Sequence, residues 1–165
     1  MPSPLTSVKN RSEVVVVPTK SSWADVASRY DSMPMVPDSV RQVITLGSPF
    51  AGDPRSTNAW RVYEWASGRK ADEVDPRFGG ELAAPPPVPT TAIFSRTDGV
   101  CAWQGCMEKS GAQTESIEVE SSHCGMGHHP AAVYAVADRL AQEDGQWRPF
   151  DRSGWRSLAH PDPHR

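Results

Sequence analysis

Apolar residues along the chain fall into short blocks separated by polar, glycine-rich and proline-rich stretches, and the blocks alternate in period. Residues 14–17 (four valines) and Val40–Leu46 are compact apolar runs, each closed by Pro or Gly, as expected of parallel strands buried on both faces. Between them, Trp23, Val26 and Ala27 share one face of a short helix over 23–30, which the Met33-Pro34-Met35-Val36-Pro37 stretch ends. A second helix is predicted from Ser56 or Thr57, with Ala59, Val62, Tyr63 and Ala66 in register and Gly68 past its end.

Residues 90–95 predict a third strand, which runs directly into Arg96-Thr97-Asp98-Gly99. Residues 116–120 alternate in polarity and predict an edge strand with one wet face, leading into Ser121-Ser122-His123-Cys124-Gly125. The last helix opens at Pro130 and carries Val133, Val136, Ala137 and Leu140 as its expected core stripe. Strand and helix signals alternate without internal repeats, so the expected fold class is α/β, a mostly parallel sheet flanked by helices.

Composition narrows the function classes. Seventeen basic against twenty acidic residues give a net charge of −3, which argues against nucleic acid as a partner. No apolar run approaches the roughly 20 residues of a membrane span, and the first residues lack a signal-peptide pattern, so the expected location is cytoplasmic. The excess of proline is local, with four prolines in Ala84-Pro85-Pro86-Pro87-Val88-Pro89, a stiff connector. The expected organisation is a disordered tail over 1–12, one folded unit over 13–150 with a lid or connector at 69–89, and a flexible tail over 151–165. Three cysteines, Cys101, Cys106 and Cys124, cannot all pair within one chain; reduced thiols are expected, with a Cys106–Cys124 bridge left open.

In parallel sheets, functional groups gather in loops at the carboxyl ends of strands. Asp98 and His123 occupy two such loops, each followed within two positions by glycine. A carboxylate that accepts from one ring nitrogen fixes a histidine's tautomer and stabilises its protonated form. The plainer alternatives are an aspartate capping its own Asp-Gly bend and an ordinary loop histidine.

The segments Val43-Ile44-Thr45-Leu46-Gly47-Ser48-Pro49, Ser95-Arg96-Thr97-Asp98-Gly99-Val100 and Ser122-His123-Cys124-Gly125-Met126-Gly127 resemble the carboxyl-terminal half of the α/β-hydrolase family, its lipase and esterase-like members. The resemblance runs from about residue 40 to residue 150. It implies a partial α/β-hydrolase fold, Asp98 as the catalytic acid, His123 as the catalytic base, and a small-molecule ester or lipid as substrate. The family's nucleophile lies in a Gly-x-Ser-x-Gly turn between strand and helix, and no such motif occurs here. Ser21 and Ser22 follow the first strand but lack small flanking residues; Ser48 is followed by Pro49. The expectation is therefore a truncated or weakly active hydrolase relative that needs no cofactor and no metal.

Two other classes compete. One is a non-catalytic interaction module that associates with itself or a partner through an exposed sheet edge. The other is a small zinc-binding domain drawing on Cys101, Cys106, His123, Cys124, His128 and His129, although its cysteine spacing is not the usual one.

Overall fold

The computed structural model describes residues 13–17, 40–50 and 85–165. The expected helices over 23–30 and from residue 56 to 68, the serines Ser21 and Ser22, and all but the end of the 69–89 connector lie outside the described residues, as does the tail over 1–12.

Four strands, β1 (Glu13–Val17), β2 (Val40–Leu46), β3 (Thr90–Phe94) and β4 (Thr114–Glu118), form one sheet in the order β1-β2-β3-β4, every pair parallel. This is the α/β class expected from the alternating pattern. Strand β3 is buried at all five positions, consistent with an interior strand covered on both faces. Its side chains point alternately up and down. Ile93 joins a core of Ile44, Leu46, Ile117, Val119, Met126, Ala132, Ala135 and Phe150, while Phe94 packs with Cys101 and Cys106 on the opposite face.

Helix α1 (Pro130–Leu140) covers the first face. Pro130 sits at its first turn, and the preceding His129 caps it, Nδ1 accepting from the Ala131 amide at 3.3 Å. The buried positions are Ala132, Ala135 and Arg139; Val133 is 51% and Leu140 38% exposed. The helix is thus rotated from the stripe expected on hydropathy, of which only Val136 packs against the core. Two alanines let the backbone approach the sheet closely, and Arg139 is buried because its charge is matched. The guanidinium pairs with Glu115 of β4 and Asp138, and donates to the Arg148 carbonyl at 2.8 Å. Polar side chains of β2 close the helix: Arg41 donates to the Leu140 carbonyl at 2.8 Å and Gln42 to that of Arg139 at 3.1 Å.

Strand β4 begins two residues before the expected run and ends the sheet, as an edge strand should. Its expected wet face is covered: Ser116 and Glu118 are buried. The covering comes from Phe150 and from the segment after it, 151–165, which was expected as a flexible tail. Phe150 donates its amide to the Glu115 carboxylate, and Arg152 reaches the Ser116 carbonyl at 2.8 Å. Arg165 reaches Glu118 at 2.7 Å, and Arg96 reaches the same carboxylate from the β3 loop at 3.0 Å. Between these anchors a short helix, α2 (Arg156–Ala159), leads to His160, fully buried against Tyr134 and Phe150 with Nε2 3.0 Å from the Ala131 carbonyl. Among the described residues, no helix is long and apolar enough to cross a membrane.

Candidate functional site

Three loops leave the carboxyl ends of β2, β3 and β4 and meet above the sheet. The β2 loop contributes Gly47, whose amide donates to the Ile93 carbonyl at 2.8 Å. The β3 loop contributes Asp98 and the β4 loop His123, which are 25 positions apart in sequence. Gly47 has a φ of +56°, and a Cβ built there would stand 3.2 Å from Asp98 Oδ2, 3.3 Å from Met126 Cε and 3.4 Å from His123 Nδ1. A side chain is disfavoured twice, by left-handed backbone and by its close approach to Asp98 Oδ2 and Met126 Cε.

Asp98 uses both carboxylate oxygens. Oδ1 accepts from the backbone amides of Val100 (2.8 Å) and Cys101 (2.9 Å), an Asx bend built into the loop. Oδ2 lies 2.8 Å from His123 Nδ1. The two local alternatives raised by the sequence are therefore not exclusive, because one oxygen caps the bend while the other faces the imidazole. Burial pulls the Asp98 carboxyl upward, but the hydrogen bonds from His123, Cys101 and Val100 outweigh it and hold the group below its ordinary value of 3.8. An ionised carboxylate only accepts, so the proton of this contact resides on Nδ1.

His123 is driven the other way. Its hydrogen bond to Asp98 and a second to the Cys101 thiol raise it from 6.5 to about 10, against an opposing contribution from burial. Side-chain exposure is 13% for His123 and 2% for Asp98, so water screens the pair poorly. The imidazolium–carboxylate pair is complete at pH values above the Asp98 transition and below about 10. Because the folded-state value of His123 lies above its unfolded value, its contribution to stability is full below about 6.5 and is lost as pH rises toward about 10.

The relative placement of the two loops depends on hydroxyl groups that the sequence motifs did not single out. Ser95 Oγ accepts from the amides of both Thr97 and Ser121, each at 3.1 Å, and contacts Thr97 Oγ1 at 2.9 Å. Thr97 Oγ1 lies 3.2 Å from the Ser121 carbonyl. These contacts staple the β3 loop to the β4 loop just before Asp98 and His123. Their sequence signal is modest, two small hydroxyl residues between a buried strand and an acid. Below, Met126 is fully buried, and the Met126 amide donates to the Ser122 carbonyl at 3.0 Å, folding 122–126 into a tight turn. At the side, the Arg96 guanidinium lies 3.9 Å over the Trp103 ring while bonded to Glu118.

Of the other candidate groups, Cys101 joins the site. Its Sγ and the nearest ligand atoms of Asp98 and His123 lie within 4.8 Å of one another, the one cluster of three or more metal-ligand types among the described residues. Asp98 Oδ2 and His123 Nδ1 are engaged with each other in a hydrogen bond. Cys124, His128 and His129 are outside the cluster, and all three cysteines are free thiols, Cys101 and Cys106 buried and Cys124 exposed. Ser48 is buried and bonds back to the Leu46 carbonyl at 3.3 Å.

No protein-family model, curated protein or solved structure matches this chain.

Gly47→Ala provides a local check on this geometry. Left-handed backbone costs about 1–2 kcal/mol for a residue with a Cβ, and the new methyl would press on both members of the pair. The expected result is a loss of about 1–2 kcal/mol in urea denaturation, with displacement of the His123 ring resonances in NMR. Unchanged His123 resonances would refute the close approach.

Proposed function

We propose that the chain carries the acid–base pair of a carboxylic-ester hydrolase of α/β-hydrolase type, with small esters or lipids as the substrate class and low intrinsic activity. The observation that carries this reading is the 2.8 Å contact between Asp98 Oδ2 and His123 Nδ1 at the carboxyl ends of adjacent parallel strands. In such a pair, His123 accepts the proton of an attacking hydroxyl and later returns it to the leaving alcohol. Asp98 holds the ring in the tautomer with the proton on Nδ1 and stabilises the imidazolium. Without a Gly-x-Ser-x-Gly turn, the attacking group is not identified by motif, and activity is expected to be far below that of a complete triad.

Base catalysis requires neutral imidazole. Since His123 is raised to about 10, turnover of p-nitrophenyl butyrate should climb through the alkaline range and level off only near that pH. A profile already flat above pH 7 would contradict this assignment. The decisive test combines that assay with a fluorophosphonate label that reports an activated serine. Turnover and labelling should both disappear in His123→Ala; turnover that survives this substitution removes His123 as the base.

A further inference from the structure

Beside the acid–base pair lies a second reactive arrangement that the hydrolytic reading does not use. Cys101 follows the Asp98 bend, and its backbone amide is held by Asp98 Oδ1. A 3-10 turn over Trp103–Cys106 then folds the chain back on itself, the Gly105 amide donating to the Ala102 carbonyl at 3.0 Å. This brings Cys106 against Cys101, and the two thiols pack together under Phe94, screened by Val100, Trp103 and Met107. Cys106 Sγ lies 3.6 Å from the Ala102 carbonyl. The Cys101 thiol is hydrogen-bonded both by Cys106 and by His123. Two thiols in mutual contact, one of them also against an imidazolium, are the components of a dithiol exchange site.

The geometry points to Cys101 and Cys106 as a thiol–disulfide pair that reacts with small soluble disulfides, Cys101 attacking and Cys106 resolving. Two contacts set this division of labour. The Cys106 hydrogen bond and the His123 imidazolium favour the Cys101 thiolate over its burial cost. Cys101 Sγ lies within 4.8 Å of the ligand atoms of Asp98 and His123, whereas Cys106 Sγ donates to the Ala102 carbonyl at 3.6 Å, a bond that keeps the proton on the second sulfur. With oxidised glutathione as the co-reactant, the Cys101 thiolate attacks one sulfur of the disulfide, forming a mixed disulfide and expelling one glutathione thiolate. That thiolate, or water, takes the Cys106 proton as Cys106 attacks the Cys101 sulfur. The second glutathione leaves as its thiolate and takes a proton from water; the two cysteines have lost two electrons and the Cys106 proton, and glutathione disulfide has been reduced to two thiols. Closure also removes the Cys101 thiolate from His123, so the imidazole loses one of the two contacts that raise it.

This inference does not depend on ester hydrolysis, and it is read by mass rather than by activity. The full chain is treated with oxidised glutathione or with dithiothreitol, quenched in acid, denatured and alkylated with iodoacetamide. The dithiothreitol sample should take up label at all three cysteines. The oxidised sample should keep Cys101 and Cys106 from the label and yield a peptide joining them. Cys106→Ser should instead accumulate a glutathionyl adduct on Cys101. His123→Ala should slow formation of the joined peptide at neutral pH by about tenfold or more, having lost the imidazolium. Label on both Cys101 and Cys106 after oxidation, or glutathione found only on Cys124, overturns the proposal. In Cys101→Ser, Cys106 modified as fast as Cys101 is in the parent would overturn the assigned order.

Discussion

Asp98→Asn is expected to lower ester turnover by about 10²–10⁴-fold while leaving the fold in place. The asparagine carbonyl can still accept from the Val100 and Cys101 amides, so the bend that Asp98 caps survives. The other half of the carboxylate becomes an NH₂ group, a donor facing His123 Nδ1 across a 2.8 Å contact. The ring can satisfy that donor only with the Nδ1 lone pair, which moves its proton to Nε2 and yields the wrong tautomer for a base. The hydrogen bond to Asp98 is also the largest cause of the raised His123 value, so the imidazole should titrate nearer its ordinary 6.5. Initial rates with p-nitrophenyl butyrate and ¹⁵N spectra of the ring report the two effects separately. Were Asp98 only the cap of its own turn, asparagine would be nearly neutral in both, and that outcome would defeat the acid–base reading.

The second large effect concerns the framework. Arg139→Met is expected to cost about 3–5 kcal/mol, because breaking a buried ion pair strands the partner charge. Arg139 is 1% exposed and ties helix α1 to Glu115 of β4, to Asp138 and to the Arg148 carbonyl. Glu115 is already pushed up by burial, against the Phe150 amide and Arg139, so losing the arginine removes one of the groups that keep it ionised. For a chain of this length the loss corresponds to a fall in Tm of roughly 6–20 °C. The double variant Arg139→Met with Glu115→Leu leaves no stranded carboxylate on β4 and should recover part of the loss. The rest is kept by Asp138, the Phe150 amide and the Arg148 carbonyl, which lose their partners. Equal stability of Arg139→Met and the parent in urea denaturation would show that the pair carries no net weight.

How much of this was visible beforehand differs by element. Strand β3 and the body of β2 were legible because strands covered on both faces leave compact apolar runs, whatever their surroundings. Asp98 and His123 were legible for a related reason: each stands in a glycine-bearing loop directly after a strand signal, so the parallel order alone sends both to the same end of the sheet. The buried face of α1 was misjudged because hydropathy ranks Val133 and Leu140 above Ala132 and Arg139, whereas packing rewards small residues at a close crossing and accepts an arginine whose charge is met. Glu118 was read as solvent-facing because alternation cannot anticipate Arg96 of the β3 loop and Arg165 of the last residues both closing on it.

The order of amino acids by itself determined the α/β alternation and the placement of Asp98 and His123 in loops after successive strands, because these follow from local period and turn chemistry. Only the tertiary structure decided that Oδ2 meets Nδ1 at 2.8 Å, that a Cβ at Gly47 would stand 3.2 Å from Asp98 Oδ2, that Ser95 and Thr97 join the two loops, and that Cys101 comes within 4.8 Å of Asp98 and His123. Each of those facts is a distance between residues from separate elements or loops. Such distances are set by how strands register and how a helix seats on the sheet, quantities that no single stretch of sequence encodes.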